Sequence, residues 1–96
     1  MKSPTELQSF KDFAPIVIEV LQKLEVTQSS KHQDFIQQTR QSAIGILTYL
    51  ADGYNKYHAI EKMSLYAKAR SEASKLQTYC FLLKECNILT ILTKTS

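Results

Sequence analysis

Ninety-six residues, 44% of them apolar and 22% charged, have the size and balance of one folded domain near the lower limit of what a hydrophobic core supports, and they exclude a disordered chain. Two glycines and two prolines are too few for the many tight turns of an all-β fold. The net charge of +3 is uneven: residues 1–54 carry five basic and six acidic side chains, residues 55–96 seven and three, so an anionic partner is drawn to the second half.

The chain opens on Ser3-Pro4-Thr5-Glu6, which reads as a capping box with Ser at the N-cap and Pro at the first helical position. A helix over about 4–26 follows, with Phe10, Phe13, Ala14, Val17, Leu21 and Leu24 at helical spacing. Pro15 predicts a kink or a restart, because it lacks a backbone donor and crowds the carbonyl four residues back. Ser30-Lys31-His32-Gln33 reads as a second capping box, opening a helix over about 31–52 with Gly53 as its C′ residue.

That second helix carries two apolar stripes. Ile36, Ala43, Ile46 and Leu50 form one, and Ile44, Leu47 and Ala51 form another, offset from it. A surface helix needs only one. This helix is therefore either central to its own bundle or faces a second subunit, and Ile44, Leu47 and Ala51 are the expected oligomer interface.

Asn55 to Tyr57 is a short connection, and a third helix is expected over about 58–86. Its stripe is Leu65, Ala69, Ala73, Leu76, Cys80 and Leu83, with Met63, Tyr66, Tyr79 and Phe81 falling off it. Asn87 reads as a stop. Residues 88–96 are either a short fourth helix or an extended tail. Short loops between long helices predict an all-α fold: an up-down antiparallel bundle of three long helices plus a short or truncated fourth, oligomeric, in one domain over 1–96.

Gln38 to Gly53, QTRQSAIGILTYLADG, resembles the second-helix signature of a family of small bacterial four-helix-bundle proteins. That signature runs, loosely, Q-x-R-R-A-x-x-S-I-x-x-N-I-A-E-G. The family includes proteins encoded within intervening sequences of large-subunit ribosomal RNA genes and the accessory variability determinants of diversity-generating retroelements. The likeness spans about residues 10–90 and continues in the long third helix from Leu65 to Leu83. Gln41, Gly45 and Tyr49 stand where the family has Arg, Ser and often Asn. The resemblance implies a homo-oligomer, often a five-membered ring, with no catalytic site. For the retroelement group it implies a basic surface engaging RNA or DNA, with the element's reverse transcriptase as a further partner. Carried onto this chain, Lys56, Lys62, Lys68, Arg70, Lys75 and Lys84 are the candidates for phosphate contacts, which hold nucleic acid without reading bases.

No residue pattern points to chemistry. His32 and His58 lack Cys, His, Asp or Glu partners at metal-site spacing, so neither a metal nor another cofactor is expected. Cys80 and Cys86 are six residues apart, about 9 Å along a helix axis, too far for a disulfide; both read as buried thiols of a reducing compartment. Asp52 and Glu61 flank the second loop as helix-end charges. Tyr49, Tyr66 and Tyr79 read as packing residues, while Tyr54 and Tyr57 with Lys56 are equally suited to stacking on exposed bases. There is no apolar leader at Met1-Lys2 and no run of the ~18–20 residues a membrane span needs, so a cytoplasmic protein with no membrane partner is expected. The alternative to nucleic-acid binding is a protein–protein interaction bundle whose extra stripe docks a partner helix.

Overall fold

A computed structural model gives the structure of the protein and describes residues 3–26 and 32–85. Among these, all regular structure is helical. A 3₁₀ turn, Pro4–Glu6, precedes α1 (Gln8–Val26), α2 (Gln33–Tyr54) and α3 (Ala59–Glu85).

The helix expected from Pro4 begins later. Ser3 caps only the 3₁₀ turn, its hydroxyl accepting from the Thr5 amide at 3.4 Å. Leu7 is then extended (φ −66°, ψ 129°) and turns its side chain toward the core. The first bond leading into α1 is Lys11 N–H to the Leu7 carbonyl, 3.0 Å. Pro15 neither breaks nor restarts α1, which runs unbroken through it. Pro15 and Lys11 are both exposed, so the Lys11 carbonyl that loses its helical donor lies on the watered side, where the loss costs least.

Both ends of α2 differ from expectation. Gln33 is the first helical residue, and His32 holds the cap position without a side-chain cap bond; Ser30 lies outside the described residues. At the other end α2 continues to Tyr54, so Gly53 lies inside the helix, fully buried. A Cβ there would stand 2.8 Å from Tyr66 Cε1 and 3.2 Å from Leu65 Cβ. Gly53 thus marks a close approach of α2 to α3, not a left-handed stop. The turn behind it is closed by amides of Asn55 and Lys56 donating to the Asp52 and Gly53 carbonyls at 3.3 and 3.2 Å.

The two stripes of α2 are explained by its place in the molecule. α2 packs against both α1 and α3, with Ala43, Ile46 and Leu50 joining Val17 of α1 and Ala69 and Leu76 of α3 in the main core. Leu24, Ile36 and Leu83 form a second cluster joining all three helices. Each Val, Leu or Ile side chain so buried contributes roughly 1.5–3 kcal/mol. Gly53 meets Tyr66, Gly45 meets Glu72, and Phe35 meets Tyr79 edge-on at 5.3 Å, so contacts along α2 and α3 run in opposite order. α1 and α3 are held apart by α2, leaving a depression of about 440 Å³ lined by Phe13, Ile16 and Val20 on one side and Ala73, Leu76 and Cys80 on the other. Residues 86–96, where the short fourth helix or tail was expected, lie outside the described residues.

Candidate nucleic-acid interface

The six candidate cations fall into two rows, for a reason already present in helix geometry. Residues seven apart return to one side of a helix, whereas residues two apart stand about 200° round it. Lys68 and Lys75 therefore share one flank of α3, and Arg70 lies on the other.

The first row follows the seam between α2 and α3. On α2, Gly45, Tyr49 and Asp52 recur at four- and three-residue steps, and Lys56 follows in the turn beyond it. On α3, Lys68, Glu72, Lys75 and Tyr79 recur at the same steps. The Lys68 ammonium stands 5.9 Å from the centre of the Tyr49 ring, a cation–π contact. Lys75 Nζ lies 3.1 Å from Glu72 Oε1, and this hydrogen bond, with the carboxylate's charge, raises the Lys75 pKa. Lys56 Nζ lies 3.6 Å from Asp52 Oδ1. Two of this row's three cations are thus already facing carboxylates.

The second row holds Lys62, Arg70 and Lys84. Lys62 is half-buried; its ammonium donates to the Tyr54 carbonyl at 3.2 Å and stands 5.7 Å from the Tyr54 ring centre. That carbonyl is an orphan acceptor at the C-terminus of α2, where a cation also complements the helix dipole. Lys62 therefore closes the α2–α3 turn. Arg70 is exposed and borders a 210 Å³ depression with Ser9, Phe13 and Tyr66. Lys84 sits half-buried in the last turn of α3, also at a favourable end of the dipole.

The tyrosines divide by burial. Tyr49, Tyr54, Tyr66 and Tyr79 are half-buried, and burial pushes the Tyr66 hydroxyl pKa up, with Tyr54 adding to it. Tyr57, 95% exposed in the second loop, is the one free to stack on a base. His32 and His58 are exposed, and among the described residues no three His, Cys, Asp or Glu side chains gather as a metal site would require. Cys80 is half-buried in the depression between α1 and α3, and burial raises its thiol pKa; Cys86 lies outside the described residues. No helix among the described residues is long and apolar enough to cross a membrane.

Of the expected oligomer contacts, Ile44 is exposed and borders a 290 Å³ depression with Ile18 and Leu21 of α1. Leu47 and Ala51 are half-buried, and Leu47 packs against the core. Sequence reading missed two buried polar residues, Thr39 and Ser42. Thr39 Oγ1 donates to the Phe35 carbonyl at 2.9 Å. A local bond of this kind lets a polar side chain sit in a core without a sequence signal. Comparison with protein-family models, curated proteins and solved structures gives no match to this chain.

Proposed function

We propose that the chain is a non-catalytic accessory subunit that assembles with copies of itself and holds nucleic acid through phosphate contacts, with a reverse transcriptase as the partner the family resemblance suggests. In this reading the bundle is up-down and antiparallel, residues 86–96 complete or extend it, and the protein works in the cytoplasm. The observation that carries it is the composition of α3. This one long helix holds five of the six candidate cations and also exposes large apolar side chains, as suits a helix engaging partners. Lys68 and Arg70, both exposed and free of carboxylate partners among the described residues, carry the phosphate contacts. Lys62 serves the turn.

The test is anisotropy of a labelled single-stranded RNA titrated with the protein at several salt concentrations. Log affinity should fall with log salt by about 0.7 per phosphate contact, and Lys68→Glu and Arg70→Glu should each weaken binding and flatten that slope. Binding indifferent to salt refutes phosphate contact. A second reading, an interaction bundle with no nucleic-acid role, is favoured by Lys56, Lys62 and Lys75 being engaged within the chain. It predicts no RNA binding even at low salt.

A further inference from the structure

The depression between α1 and α3 has the buried Ile46 of α2 behind it, Val20 of α1 and Cys80 of α3 along its walls, and no charged side chain in its lining. Large apolar side chains stand at both rims. Ile16, which lines it from α1, is 51% exposed, and Phe81 of α3 is 60% exposed. Phe81 follows Ser74 by seven residues and Gln77 by four, and both of these line the depression. It therefore continues their side of α3 toward the end of the helix. An uncharged trough of about 440 Å³ with apolar rims suits an apolar occupant that is itself uncharged.

The chain supplies such a segment beside it. From Cys86 to Thr93, directly after α3, no residue is charged. Ile88, Leu89, Ile91 and Leu92 fall at the offsets that share one side of a helix, with Thr90 and Thr93 on the other. We infer that residues 88–92 dock in this depression, folded back antiparallel to α3 as a short helix. The reach fits. Gln77, Cys80 and Phe81 precede Glu85, the last residue of α3, by eight, five and four residues, about 6–12 Å along the axis. A reversal at Cys86-Asn87 sets Ile88 beside the last turn of α3, and about 1.5 Å per residue then carries Leu92 to the level of Cys80. A helix so short does not hold in water alone, so the buried apolar side is what supports it. Tethering favours this occupant over a second copy, because the segment is held next to the depression at high effective concentration. The docking specifies how residues 86–96 complete the bundle in the function proposed above, and it does not rest on phosphate contact.

Alkylation of Cys80 by iodoacetamide tests it in the full chain. In a Cys86→Ser background Cys80 is the one remaining thiol, and the docked segment should shield it. Ile91→Asp/Leu92→Asp should raise the alkylation rate several-fold while the bundle stays folded by circular dichroism, because carboxylates resist entry into an apolar groove. Thr90→Asp/Thr93→Asp, on the side turned away, should leave the rate at that of the parent. Equal rates in all three chains, or acceleration by both pairs, overturns the inference. Shielding that fades as the parent is diluted assigns the depression to a second copy and overturns it too. Disulfide trapping decides if the apolar pair fails to fold. In the same background Leu92→Cys should close onto Cys80 within one chain much faster than Thr93→Cys, read on a non-reducing gel, because only the first brings the two sulfurs within bonding geometry. An undocked segment closes both at the same rate, which refutes docking. Both readouts are taken without RNA, so loss of RNA binding alone counts against the phosphate reading only.

Discussion

Both glycines of this chain lie in α2, and replacing each by alanine should move stability in opposite directions. Alanine at either position gains about 1 kcal/mol of helix propensity over glycine. At Gly45 the nearest atoms to the new methyl are those of the Glu72 side chain, 3.3 Å away at Cγ and Oε2. That flexible side chain swings aside at the expense of its exposed pair with Lys75, a minor loss for a solvated ion pair. Gly45→Ala should therefore be stabilising by about 0.5–1 kcal/mol. At Gly53 the methyl would meet the rigid Tyr66 ring at 2.8 and 3.0 Å and Leu65 Cβ at 3.2 Å. A Cβ moves only with its backbone, so relief requires α3 to shift, and such overpacking typically costs about 1–3 kcal/mol. Gly53→Ala should then be neutral to destabilising by about 2 kcal/mol, and less stable than Gly45→Ala by about 1–3 kcal/mol. Urea unfolding followed by circular dichroism, at one protein concentration so that assembly is held fixed, measures the difference. Equal stabilisation by both substitutions would mean that α2 and α3 are not in close contact at Gly53.

Leu83, fully buried in the cluster with Leu24 and Ile36, should lose about 2–5 kcal/mol on Leu83→Ala, read from the same urea titration; a loss below about 1 kcal/mol would mean the second cluster is not packed as described. In a Cys86→Ser background, Cys80 should alkylate with iodoacetamide more slowly in the folded chain than in urea, because burial raises its pKa and thiolate is the reactive form. The sign for stability follows. A raised folded pKa makes the contribution of Cys80 complete below the ordinary thiol value of 9.0 and lost as pH rises through the folded value, so Cys80→Ala should flatten any alkaline decline in urea midpoint.

The three helices were legible in the sequence because their apolar periods are long and uninterrupted. Two stripes on α2 left two readings open, a central helix or one facing a second subunit; the Ile36 stripe and Leu47 pack inward, against α1 and α3, while Ile44 is exposed. What failed were single-letter readings with two physical meanings. A glycine after an apolar run signals a left-handed stop as readily as a close helix crossing, and only the distance to Tyr66 decides. Ser-Pro at the start caps a 3₁₀ turn as well as an α-helix, and the extended Leu7 separates the two. The division of the cations into two rows, by contrast, needed no coordinates. Lys68 and Arg70 are two residues apart on one helix, and that spacing alone sends them to different sides.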